Sequence, residues 1–171
     1  MSSETKTIKC VCVGDGTVGF EYIRSISYSN TDVFLVCYSV MSPSSFTNAQ
    51  KVWIPEIRRS NPKTPFVSVD NNSRALKFSD DNIGEVLVGT KIDLRRNEEE
   101  IEKLAKSKMK SISREQGEKM AKEFHAYAYI ECSALTQENL EQTFHNAISA
   151  TIERNKKKTS KQLPCCNCAL L

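Results

Sequence analysis

The chain has 171 residues, 39% of them apolar, and no run of transmembrane length, which fits one domain with a real core and excludes a membrane-spanning helix. Its net charge of +3 is uneven: from Glu153 onward, Arg154, Lys156, Lys157, Lys158 and Lys161 face a single carboxylate, which puts +4 in the tail and leaves −1 for the body. A near-neutral body argues against a nucleic-acid partner, and the short basic run is either a solvated charge run or one that an anionic cytoplasmic leaflet attracts.

The opening residues, Met1-Ser2-Ser3-Glu4-Thr5-Lys6, are polar and show neither a signal-peptide pattern nor a myristoylation site. Residues 7–13, TIKCVCV, form an apolar-leaning strand that runs straight into Gly14-Asp15-Gly16-Thr17-Val18-Gly19. A Gly-Asp-Gly run is often only a turn. After a strand, G-x-x-x-x-G reads as the front of a phosphate-binding loop, whose glycines let backbone N–H groups wrap phosphate. The chemistry then requires a lysine for the β/γ-phosphates and a Ser/Thr hydroxyl for magnesium. Phe20 and Glu21 stand there instead.

Residues 32–40, DVFLVCYSV, are apolar enough for a strand buried on both faces of a parallel sheet. Ser42-Pro43-Ser44-Ser45 caps a helix carrying Phe46, Ala49, Trp53 and Ile57 on one face, and Pro55 is expected to kink it near its end. Trp53 reads as a packing residue. Val86-Leu87-Val88-Gly89 is a third short strand. Residues 98–110 place acids first and lysines later, a surface helix with Glu99/Lys103 and Glu102/Lys106 pairs. Ser113-Arg114-Glu115-Gln116 is a capping box for a helix through Phe124, and residues 129–132 are a further strand. The last helix shows Leu140, Phe144, Ala147 and Ile148 on one stripe and then dissolves into lysines. His125 and His145 read as surface helix residues.

Strands alternating with helices imply parallel β/α/β units, whose ligands bind in loops at the strands' carboxyl ends. Two more loops of that kind follow predicted strands. In Thr90-Lys91-Ile92-Asp93, an aspartate can accept from guanine's N1–H and N2 amino group while a lysine stem covers the base; adenine offers no such donor pair. Cys132-Ser133-Ala134-Leu135 is the second. The chain ends in Cys168-Ala169-Leu170-Leu171, a prenylation signal, with Cys165 and Cys166 beside it for palmitate. Of the seven cysteines, Cys10, Cys12, Cys37 and Cys132 lie in strand-like runs, disulfides are not expected, and the tail cysteines are too closely spaced for a four-ligand zinc site. No Ser/His/Asp set, paired carboxylate or metal cluster stands out, so no catalytic residue and no metal ligand is assigned.

Taken together, these residues make the chain resemble a Rho/Rac-type small GTPase of the Ras superfamily. Ser27-Tyr28, Thr31-Asp32-Val33-Phe34, Trp53-Ile54-Pro55-Glu56, Gly89-Thr90-Lys91-Ile92-Asp93-Leu94-Arg95 and Glu131-Cys132-Ser133-Ala134-Leu135-Thr136 are the landmarks. Thr90, where most small GTPases carry Asn, and the acidic-then-basic helix from Glu98 are similar to the Rho branch. The resemblance implies an α/β, partial P-loop small-GTPase fold, with an incomplete G domain over residues 1–152 and a basic, lipidated tail over 153–171. It implies GTP or GDP with Mg²⁺ as cofactors, Gly14 to Gly19 along the phosphates, Lys91 and Asp93 on guanine, and the Ser133-Ala134 loop at the base oxygen. It further implies exchange factors, GTPase-activating proteins, a prenyl-binding escort and effectors as partners, at the cytoplasmic face of membranes.

Two departures from the family pattern stand out. Between Gly19 and Phe20 on the order of fifty residues are absent, including the loop lysine, the magnesium hydroxyl, the first helix, switch I, strands 2 and 3, and the D-x-x-G-Q segment. The mostly parallel sheet should therefore lack two strands, with nucleotide binding and hydrolysis impaired. Residues 67–85 interrupt the strand that would read Pro65-Phe66-Val86-Leu87-Val88-Gly89, and Asp70-Asn71-Asn72 and Asp80-Asp81-Asn82 make them loop-like. Nineteen residues correspond to 57 nucleotides, Val67-Ser68 can be encoded by the donor-like GTAAGT, and Glu85 can end in AG, which a retained short intron explains. A membrane-anchored, non-hydrolysing interaction isoform and a mis-spliced gene model are the alternatives for the chain as written.

Overall fold

The computed structural model describes residues 7–17, 24, 26–60 and 84–161. Within them, β1 (Cys10–Val13), β2 (Val33–Ser39), β3 (Gly84–Thr90) and β4 (Ala128–Glu131) form a four-stranded, all-parallel sheet in the order β1-β2-β3-β4. The fold is α/β, as expected from the alternating elements. Among the described residues β1 pairs only with β2, from Cys10 opposite Val33 to Val13 opposite Val36. It is an edge strand.

Side-chain alternation sorts the strands' residues onto two covered faces. One face carries Val13, Phe34, Val36, Tyr38 and Leu87, and packs on α1 (Pro43–Asn48), α2 (Ile54–Ser60) and α4 (Arg114–Glu123). The other carries Val33, Leu35, Val86, Val88 and Ile130 under α5 (Leu140–Lys161). Each large apolar side chain fully buried in this way contributes about 1.5–3 kcal/mol.

Local signals set the helix starts. Ser42 caps α1, its Oγ accepting from Ser45 N–H, with Pro43 at the first helical position where its missing N–H costs nothing. Ser113 and Gln116 form the expected capping box of α4, each side chain bonding the other's backbone N–H. Pro55 acts one turn earlier than the sequence suggests. It cannot donate to the turn before it, so the backbone widens to a π-helix over Ala49–Trp53, where Ile54 N–H reaches back to Ala49 O, and α2 then continues through Ser60. The helix from Glu98 is shorter than expected: α3 is Glu98–Lys106, and Lys103 pairs with Glu100 rather than Glu99, while Glu102/Lys106 forms as expected at 3.6 Å.

Three further expectations need correction. The segment 67–85 is not loop to its end, because Gly84 and Glu85 belong to β3. Buried Glu85 is gripped by Arg58, at 3.2 Å from Nε and 2.8 Å from the guanidinium tip, and Arg58 also donates to Phe124 O. Residues 67–83 lie outside the described residues. The helix carrying the basic run does not dissolve: α5 continues as helix to Lys161, across the boundary drawn at residue 152. Its buried line is Thr143, Ala147, Ala150 and Thr151, whereas Phe144 and Ile148 are 47% and 45% exposed. The α5 helix lies over β2, β3 and β4. Phe144, Ile148 and Ile152 leave an exposed apolar stripe on α5 itself.

After the gap the chain is anchored by a small polar cluster. Arg24 donates twice to Glu56, both at 3.1 Å, and its guanidinium lies 5.2 Å from the Trp53 ring centroid. Tyr28 donates to the same carboxylate at 2.8 Å and sets its ring edge-on to Phe34. Burial works against the Glu56 carboxylate, but these donors outweigh it and hold its pKa below the ordinary value.

Candidate guanine-nucleotide site

All three candidate loops follow strand ends, at one end of the sheet. After β1, Gly14 is buried and passes so close to β2 that a Cβ there would meet Cys37 O at 2.5 Å. Gly16 has nothing within 4 Å of its own Cβ position. The first glycine is therefore fixed by packing, the second is not. Replacing Gly14 by alanine should cost about 1–3 kcal/mol through overpacking against backbone, while Gly16→Ala should stay within about 0.5 kcal/mol. Urea unfolding of the two variants reads the difference.

Asp15 opens a short 3₁₀ turn, Asp15–Thr17, and its carboxylate is held from below. Trp53 Nε1 donates to one oxygen at 2.8 Å and Asn48 Nδ2 to the other at 3.0 Å. Trp53 is thus both a core residue and an anchor of the glycine loop, a role that spacing alone did not disclose. Val18 and Gly19 lie outside the described residues.

At the end of β3, Thr90 Oγ1 donates to Tyr38 O at 2.9 Å, tying the loop to β2. Lys91 is exposed and adopts a left-handed backbone, φ 61°, a conformation that costs a non-glycine residue of order 1 kcal/mol and recurs at ligand sites. Asp93 follows, half-buried, in the 3₁₀ turn Ile92–Arg96. After β4, Ser133 is fully buried, its Oγ accepting from Thr136 N–H, and Ala134 is exposed. Ile92 N–H donates to Cys132 O at 3.4 Å, so these two loops touch.

An ion pair between half-buried Arg95 and buried Glu131 locks those loops together. Arg95 donates through both terminal nitrogens to Glu131 at 2.7 Å each, and to Ile112 O at 2.7 Å. Tyr129 O–H adds a third donor to Glu131 at 2.7 Å and meets the Tyr38 hydroxyl at 2.8 Å. Burial raises the Tyr38 pKa to about 12, so its hydroxyl stays protonated at neutral pH. For Glu131, burial opposes ionisation, yet Arg95 and Tyr129 win and hold its pKa below the ordinary carboxylate value.

A cavity of about 640 Å³ opens between these parts. Gly14, Asp15 and Gly16 line it on one side, Thr90, Lys91 and Leu94 on the other. Asp93, Ser133 and Ala134 do not line it. Two carboxylates, Asp15 and Glu100, and one ammonium, Lys91, face this space. That balance does not favour a polyphosphate. Among the described residues no group of three His, Cys, Asp or Glu side chains is placed to hold a metal ion, and Asp15 is already engaged by Trp53 and Asn48. A family model described as Ras family matches residues 14–153.

Proposed function

Because the chain belongs to the Ras family, whose members are guanine-nucleotide switches that use Mg²⁺ and answer to regulators in general, we propose that it is a Rho-branch member that holds guanine nucleotide by the base and only loosely by the phosphates. The observation that carries this reading is the hydrogen bond from Ile92 to Cys132, which joins the Thr90 loop to the Ser133-Ala134 loop at the same end of the sheet as the cavity where the glycine loop meets Thr90 and Lys91. The Rho assignment rests on Thr90 and on the acidic-then-basic α3. A binding titration with a fluorescent guanine nucleotide tests the proposal: weak, guanine-selective binding supports the reading, and no binding at millimolar nucleotide contradicts it.

A second reading, a non-hydrolysing interaction protein, draws on α3, which has no buried residue and exposes Ile101. Nucleotide-independent capture of partners, lost on charge reversal along α3, would favour it.

Membrane attachment is proposed from the tail. Cys168-Ala169-Leu170-Leu171, with leucine last, suits a geranylgeranyl group, Cys165 and Cys166 suit a second acyl anchor, and each nearby lysine adds about 1 kcal/mol at an anionic surface. A fluorescent protein carrying residues 154–171 should label membranes, and its Cys168→Ser form should be cytosolic. Equal distribution of the two would refute the anchor.

A further inference from the structure

We propose that a second copy of this chain docks along the exposed apolar stripe of α5, the two helices pairing antiparallel about a two-fold axis at Ile148. The stripe lies outside the nucleotide cavity, so the interface does not depend on the function proposed above.

Phe144, Ile148 and Ile152 recur every fourth residue, so they form one line along α5, and all three are exposed. Two sets of contacts fix which way that line faces. Thr143, Ala147, Ala150 and Thr151 sit on the sheet, and Tyr127, just before β4, donates to Glu153 at 2.9 Å, which marks the β4 flank of the helix. At about 100° per residue, Phe144, nine positions before Glu153, points to the opposite flank, and Ile148 and Ile152 turn progressively from there to the side away from the sheet. The strand order puts β1 toward that flank. Cys10 and Cys12, paired in register with Val33 and Leu35, stand on the α5 side of the sheet and are exposed as well.

The polar ends of the stripe select the occupant. Glu141 precedes Phe144 and Asn155 and Lys156 follow Ile152 along the same line, with Glu141 and Lys156 exposed. In an antiparallel pair centred on Ile148, Ile148 meets the partner's Ile148, Phe144 meets the partner's Ile152, and Glu141 meets the partner's Asn155 and the partner's Lys156. The same contacts repeat across the two-fold axis, and the helix dipoles oppose. Burial of three large apolar side chains from each copy drives the association. A parallel pair would set Glu141 against the partner's Glu141, a like-charge contact. An anionic lipid surface would meet the Glu141 carboxylate on the stripe itself. The charges therefore favour a second, antiparallel copy over either.

The test is sedimentation equilibrium of the full, unprenylated chain. A dimer with a Kd on the order of 10 μM is expected for an interface at the small end of the specific range. Ile148→Glu places two carboxylates on the two-fold axis and should weaken the dimer at least about a hundredfold. The substituted position is exposed, so the variant should fold, which circular dichroism confirms. Glu141→Lys and Lys156→Glu should each weaken the dimer about threefold or more, and the double variant, with opposite charges facing again, should return close to the wild-type Kd. A wild type that stays monomeric about tenfold above the expected Kd overturns the proposal. So does association that survives Ile148→Glu, open-ended aggregation in place of a closed dimer, or a double variant no tighter than the singles. A monomer that binds phosphatidylserine vesicles and releases them on Ile148→Glu overturns it too, and gives the stripe to a lipid surface.

Discussion

Arg95→Ala should destabilise the fold by about 3–5 kcal/mol, a large part of any single domain's stability. The cost does not come from the lost attraction alone. Glu131 is 6% exposed, and without Arg95 its carboxylate would keep only the neutral Tyr129 hydroxyl as a side-chain donor among the contacts described above. Arg95 is also the donor to Ile112 O, so the loop before α4 would loosen as well.

The pH dependence gives the same ion pair a sign. A carboxylate whose folded pKa lies below its unfolded value contributes stability that is fully present above the unfolded pKa and lost as pH falls through the folded pKa. For Glu131 the folded value is depressed, so the wild type should lose this contribution below about pH 4.5. In Arg95→Ala, burial is left to act on Glu131 and favours its protonated form. The stability gap between the two proteins should therefore narrow as pH falls from 7 toward 4, and urea unfolding across that range measures it. A gap that widens in acid would sink this account of the pair.

Incubated with GTP and Mg²⁺, the purified chain should release phosphate no faster than the uncatalysed reaction. The loop lysine, the magnesium hydroxyl and the water-orienting glutamine of the family pattern are absent from the sequence. Two lost charge-assisted contacts of about 1.5–3 kcal/mol each weaken binding by roughly two to four orders of magnitude. A thermal melt checks the consequence. With 1 mM GTP, a millimolar Kd stabilises the fold by about 0.4 kcal/mol and a micromolar one by about 4 kcal/mol, so the melting temperature should barely move and should be indifferent to Mg²⁺.

What the sequence disclosed was local. The strand ends at Val13, Thr90 and Glu131 and the caps at Ser42 and Ser113 each depend on a few neighbouring residues, and each appears where the sequence puts it to within a residue or so. What it concealed depends on partners far along the chain: Trp53 on Asp15, Arg58 on Glu85, Arg95 on Glu131. A signal for the last two was present. Glu85 and Glu131 each adjoin apolar strand runs, where a buried carboxylate requires a cation; Asp80-Asp81-Asn82 just before Glu85 gives it the look of a loop residue. The α5 stripe failed for another reason. Phe144 and Ile148 look like core residues from spacing, but spacing cannot say which side of the helix a neighbouring layer covers. Here Thr143, Ala147, Ala150 and Thr151 face the sheet.

The central claim is a base grip without a phosphate grip, and the most direct measurement is an NMR titration of the isotopically labelled chain with guanosine, GDP and adenosine. Guanosine and GDP should shift the amides of Lys91 and Ser133 with affinities within about tenfold of one another, since the phosphates add little, and adenosine should leave them unmoved. GDP binding a thousandfold or more tighter than guanosine, or adenosine matching guanosine, would contradict it.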